Sequence, residues 1–139
     1  MLLLDTHVWI WSAGGDERRL GRRARALLTA AEARGAIRVS PLSLFEIIAL
    51  HTLGRLTLTR TPERWIREAL DVAGIRIAEL SVDVAVDAGA IPRKALADPI
   101  DRLLVATARQ LDAVFLTSDT KILECASALG NVHVRDAGQ

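Results

Sequence analysis

The sequence has a single cysteine, Cys125, so neither a disulfide framework nor a thiolate metal site can be built from it. Set in "KILECASAL", within an apolar helical pattern, Cys125 reads as a small buried hydrophobe. No apolar run reaches the ~20 residues of a membrane span, and "MLLLDTHVWI" lacks the positive start and cleavage site of a signal peptide. A soluble cytoplasmic protein is the expectation. There is no internal repeat, no low-complexity run and no linker, and 139 residues, half of them hydrophobic, suffice for one sizeable core but not for two domains. Residues 1–139 are therefore read as one domain. Net charge is only +1 and singles out no partner. Lysine occurs only at Lys94 and Lys121, whereas Arg18, Arg19, Arg22, Arg23, Arg25, Arg34 and Arg38 crowd a segment whose only acids are Asp16, Glu17 and Glu32. That segment reads equally as a surface for phosphates or as a solvated helix face.

Short, wholly apolar runs alternate with helical patterns. "LLLD", "AIRVS", "IRIAEL", "AVFLT" and "NVHV" read as strands. Between them, "HVWIWSAGG" is helical up to Gly14 and Gly15, and residues 17–34 keep a helical rhythm that ends at Gly35. "SLFEIIALHTL" begins with Ser43 and carries Glu46 three residues on, the spacing of a capping box. Thr61 and Pro62 open another helix, Ser81 caps the next, and "DPIDRLLVATARQL" is the strongest helical pattern in the chain. A last helix starts at Ser118 or Asp119. This alternation predicts an α/β fold with a mostly parallel sheet of about five strands, covered by helices on both faces. In such sheets ligands sit beyond the carboxyl ends of the strands, near the switch in strand order.

Acids stand at those ends. Asp5 follows the first strand, Glu46 lies one helical turn after the second, and Asp119 follows "VFLT". Asp101 opens the helix leading into that last strand, one turn after Asp98. Glu46, Asp101 and Asp119 each fall where helix capping and the helix dipole alone would place an acid. Asp5 does not. Between "LLL" and "THVWIW" a buried carboxylate needs a positive partner, and His7 is the only basic side chain before Arg18. A divalent ion answers that need, because hard ions take carboxylate oxygens and keep several waters. Such a site activates water for attack on phosphorus.

Other chemistries lack their residues. No G-x-S-x-G elbow, phosphate-cradling G-x-x-x-x-G-K-[ST], H-E-x-x-H or G-x-G-x-x-G is present. His7, His51 and His133 share no metal-ligand spacing and read as structural. Trp9 and Trp11 read as core. A phospho-accepting receiver module would also carry an acidic Mg²⁺ pocket, but Asp5 lacks a paired neighbouring acid and "IRIAEL" ends without an aspartate. A haloacid-dehalogenase-type phosphatase needs D-x-D where this chain has "DTH".

In this order and spacing, "LLLDTHVWIW", "VSPLSLFEIIALHTLGRL", "DPIDRLLVATA" and "FLTSDTKIL" resemble the PIN-domain ribonucleases, in particular the VapC toxins of bacterial toxin-antitoxin pairs. The similarity runs from Met1 to about Val134. It implies a three-layer α/β/α sandwich and Mg²⁺- or Mn²⁺-dependent endonucleolytic cleavage of RNA, commonly tRNA or ribosomal RNA. It also implies a homodimer and a VapB-type antitoxin bound near the active site. Asp5, Glu46, Asp101 and Asp119 match the family's four acids and are the implied catalytic and metal-holding residues. Thr6, Asp98 and Ser118 would stand around them, Asp98 mainly as a cap; the family often has a basic residue where Ser118 stands. A non-catalytic RNA-binding relative is the remaining alternative, which the four intact acids disfavour.

Overall fold

A computed structural model describes residues 1–139. Five parallel strands, β1 (Leu2–Leu4), β2 (Ile37–Val39), β3 (Ile75–Ile77), β4 (Val114–Thr117) and β5 (His133–Asp136), form one sheet in the order β3-β2-β1-β4-β5. The chain lays strands outward from β1 in one direction and then crosses to β4 on the other side. The switch point therefore falls between β1 and β4. A receiver module has the order 2-1-3-4-5, so this topology removes that alternative.

The apolar strand pattern has a simple cause: both faces are covered. Leu2 and Leu4, with Ile37, Val39 and Leu116, pack among Val8 and Trp9 of α1 (Thr6–Gly14), Ala24 and Leu28 of α2 (Arg22–Ala33), Ile47 of α3 (Pro41–Thr52) and Trp65 of α4 (Pro62–Leu70). Leu3 and Phe115 point the other way. They meet Leu104, Val105 and Ala108 of α6 (Pro99–Leu111) and Ile122 of α7 (Thr120–Leu129). Helix α5 (Val82–Ala90) packs on α6, with Val84 and Ala88 against Ala106. This is the three-layer α/β/α sandwich.

Several local expectations change. Residues 17–34 do not form one helix: a 3-10 turn, Glu17–Arg19, is separated from α2 at Gly21. Gly21 donates to Ala137 O at 2.8 Å, and a Cβ there would lie 2.0 Å from the backbone of Gln139, so the carboxyl-terminal segment occupies the space a continuous helix needs. Strand β5 runs on through Arg135 and Asp136. Trp9 is buried in an edge-on contact with Trp65, ring centroids 5.5 Å apart, as a core residue should be. Trp11 is only partly buried. His7, His51 and His133 are all exposed, so none is a core residue. Cys125 is a free thiol packed against the core as expected, but only partly buried rather than fully so.

Candidate active site

Strand register builds the site first. Leu4 pairs with Leu116, and Asp5 N–H donates to Leu116 O at 3.0 Å, so the next residues, Asp5 and Thr117, lie side by side beyond the strand ends. Thr117, fully buried, donates from Oγ1 to Asp5 Oδ2 at 2.6 Å and accepts from Asp119 N–H at 3.0 Å. Asp5 Oδ1 accepts from Thr6 N–H at 2.8 Å and caps α1. One hydroxyl thus ties the β1 carboxylate to the start of α7. Thr117 is the residue that reading the chain for acids missed. The signal was there: aligning "LLLD" with "VFLT" puts the only polar residue of each run at the same place.

Glu46 arrives from α3. That helix is capped by Ser40, whose Oγ accepts from Leu42 N–H at 3.1 Å, with Pro41 at the first helical position. The expected capping box from Ser43 does not form, and Glu46 sits in the second turn rather than at a cap position. Its partner is Thr6, whose Oγ1 lies 2.5 Å from Glu46 Oε1 and 2.9 Å from Ser43 Oγ. Thr6 has one hydroxyl proton; the charged acceptor takes it, and Ser43 can donate its own to Thr6. Both hydroxyl residues are buried. Glu46 is therefore held in place by a network that a helix cap would not require.

Helix α6 presents Asp101. Asp98 caps it, accepting at Oδ1 from Ile100 N–H at 2.8 Å and Asp101 N–H at 3.4 Å, as expected of that residue. Leu104, Val105 and Ala108 anchor the helix in the core. No protein donor reaches the Asp101 carboxylate. Asp119 caps α7, with Oδ1 accepting from Lys121 N–H at 2.8 Å and Ile122 N–H at 3.4 Å, and so settles the choice between Ser118 and Asp119 for that cap. Ser118 is partly buried beside it.

These acids share one electrostatic field. Burial, then the negative charges of Asp98, Asp119, Asp5 and Glu46, push the Asp101 carboxyl up to about 7. Burial also raises Asp5, against the hydrogen bonds from Thr117 and Thr6 that favour its charged form. Glu46 is raised by burial, with Asp5 and Asp98 adding to it and the Thr6 hydrogen bond opposing. The only basic side chain acting on Asp5 and Glu46 is His7. None of the four acids forms an ion pair with lysine or arginine. No three acidic, histidine or cysteine side chains are gathered tightly enough to grip an ion directly. The arrangement fits a hard cation that keeps much of its water: the donors are all oxygen, the charge is uncompensated, and the acids are spread around the mouth of the switch point.

The family model described as PIN domain matches residues 2–127. A ribonuclease VapC22 of Mycobacterium tuberculosis is 28% identical over 121 residues, covering 87% of this chain and 88% of that protein. Among solved structures, VapBC2 of Rickettsia felis bound to a promoter DNA fragment aligns with a TM-score of 0.69 at 14% identity, covering 97% of both chains. DNA-bound VapBC of Salmonella typhimurium aligns at 0.65 with 18% identity, covering 97% of this chain and 96% of that one. At these identities the structural matches speak for the fold.

Proposed function

The chain belongs to the PIN domain family, and from that footing we propose that it is a metal-dependent endoribonuclease, the toxin of a VapBC-type toxin-antitoxin pair. The observation that carries the nuclease reading is the convergence of Asp5, Glu46, Asp101 and Asp119 on the β1–β4 switch point with no lysine or arginine to neutralise them.

Asp5 and Asp101, with Glu46 and Asp119, would hold Mg²⁺ or Mn²⁺. Such an ion supplies a nucleophilic water at neutral pH and offsets the charge that builds on phosphorus during phosphodiester hydrolysis. The chain's own contribution is orientation. Thr117 Oγ1 and Thr6 N–H hold the two oxygens of Asp5 and Thr6 Oγ1 holds one of Glu46, and each carboxylate keeps further lone pairs for an ion. The Asp98 cap and the buried Leu104 and Val105 set the direction of Asp101. Asp119 spends one oxygen on α7 and keeps the other free.

The toxin role draws support from the ribonuclease VapC22 relative and from the toxin-antitoxin complexes among the structural neighbours. In this reading the substrate is a tRNA or ribosomal RNA, its cleavage stops translation and growth, and a VapB-type antitoxin neutralises the chain. Phe45, Ile48 and Leu53 on and just after α3, and Val82 and Val86 on α5, are large apolar side chains left exposed; they support a protein-covered surface, with a second copy as its occupant. No helix is long and apolar enough to cross a membrane. The test is expression of the chain with and without a short upstream antitoxin gene, sequencing the RNA ends produced. Discrete new ends and growth arrest, both relieved by the antitoxin, are expected; normal growth with intact RNA would refute the toxin role.

A further inference from the structure

Beside the acids lies a second concavity that hydrolysis itself does not use. A cavity of about 370 Å³, within the ~300 to 1,000 Å³ of ordinary ligand sites, opens between α1 and the segment that follows α3. Its walls include His7, Trp11, Arg19, Arg55, Thr57 and Thr59. Trp11 is the one tryptophan not buried in the core. The Arg19 guanidinium carbon lies 5.5 Å from the centroid of its ring, and the His7 ring stands 6.1 Å from it at 49°. Arg19 is shared with Asp16, whereas Arg55 has no acidic partner. His7 belongs to both places, lining this cavity two residues along the chain from Asp5.

Resting on the nuclease reading above, we propose that this cavity is a nucleotide subsite, in which one base of the RNA strand beside the scissile phosphate stacks on Trp11 while Arg19 and Arg55 take its phosphate. An RNA strand entering a cluster of carboxylates needs cations close by, and this cavity supplies them contiguously with the acids through His7. A half-buried aromatic ring packed against the core, with the Arg19 guanidinium over it and threonines nearby, is the combination that holds single-stranded nucleic acid once a base takes the place of that guanidinium on the ring. The hydroxyls of Thr57 and Thr59 give the subsite donors and acceptors for a base edge, so it selects the nucleotide that flanks the cut.

Steady-state cleavage of a fluorescent single-stranded RNA with Mn²⁺, together with sequencing of the cut ends, tests this. Trp11→Ala is expected to raise KM about tenfold, the scale of one lost stacking contact, and to flatten the nucleotide preference next to the cut, with kcat changed far less. Trp11→Phe should recover most of both. Arg55→Ala, an exposed change that leaves the core untouched, should raise KM in the same direction and steepen less with salt removal. Unchanged KM and cut pattern in both Trp11→Ala and Arg55→Ala would overturn the subsite while leaving the nuclease reading intact. Loss of binding to an acidic antitoxin-type peptide with RNA kinetics unaltered would overturn it in favour of a protein occupant. If the wild-type chain turns over neither RNA nor methyl p-nitrophenyl phosphate with Mn²⁺, the nuclease reading falls and the subsite falls with it.

Discussion

Thr117 Oγ1 donates to Asp5 Oδ2 at 2.6 Å, across the β1–β4 boundary where the strand order of the parallel sheet switches. The bond joins two residues 112 positions apart in the chain, and the same hydroxyl accepts the Asp119 N–H. Replacing it by Thr117→Val keeps the shape and deletes the donor. A buried carboxylate then loses a hydrogen bond, at a cost of about 1 to 3 kcal/mol in urea unfolding. Because the ligand it orients is loosened, Mn²⁺ affinity should fall by about 10- to 100-fold, with Thr117→Ser closer to the wild type. Unaltered metal titration by the valine variant would contradict this role.

Thr6→Val should act on Glu46 in the same way. It strands the Glu46 oxygen that now accepts the threonine hydroxyl and leaves Ser43 without its buried neighbour. The expected result is a cleavage rate lowered by about tenfold with the fold intact by circular dichroism. A rate equal to the wild type would show that Glu46 needs no such support.

The pH dependence of the metal-free chain follows from Asp101, raised from its ordinary 3.8 to about 7. The folded state therefore holds a proton between roughly pH 4 and 7 that the unfolded state has released. Stability contributed by this group is present at low pH and declines as pH rises toward 7. Asp5 and Glu46, raised as well, act in the same sense. In EDTA, urea midpoints should fall from pH 5 to pH 8, and Asp101→Asn should flatten that slope. The gain at pH 8 is expected to be on the order of 1 kcal/mol, since Asp101 is partly exposed and its neighbours are screened. Added Mn²⁺ should stabilise the wild type at pH 8 far more than at pH 5. A midpoint that rises with pH in EDTA would contradict the acid cluster as described.

Leu104 is fully buried three residues along α6 from Asp101. Leu104→Ala should cost about 2 to 5 kcal/mol through the cavity it leaves. If the helix is what aims Asp101, cleavage at a temperature where the variant remains folded should still drop.

Most of the fold was legible in the chain because its strands are buried on both sides. "LLL", "IRV" and "VFLT" are short and apolar, and each is followed by a polar residue or a helix cap that local rules recognise. Of the four candidate acids, Asp5 and Asp119 stand at those strand ends, whereas Glu46 lies in the second turn of α3 and Asp101 in the first turn of α6, positions that helix rules alone also explain. What the chain concealed was set by contacts distant in sequence. The break at Gly21 exists because Gln139 passes over it, and no window around residue 21 contains Gln139. Ser40 won the α3 cap from Ser43 because Pro41 is pre-set for the first helical position, a local cue outweighed in the sequence by the S-x-x-E spacing. Thr117 was hidden because the last residue of an apolar run reads as a strand end until strand register sets it beside Asp5, and Ser43 because the S-x-x-E spacing reads it as a helix cap whereas its hydroxyl meets Thr6, distant in sequence. Trp11 packs against the core as its aliphatic neighbours in the chain suggest, but is only partly buried and also lines the cavity beside His7.

The most direct test of the central claim is a single cleavage assay on purified chain with RNA, comparing the wild type, Asp5→Asn and Asp101→Asn in Mg²⁺, in Mn²⁺ and in EDTA. The account predicts cutting by the wild type with either ion, none in EDTA, and loss of at least a hundredfold in both variants, which remain folded. Cutting that persists in EDTA, or in both variants at the wild-type rate, would contradict it.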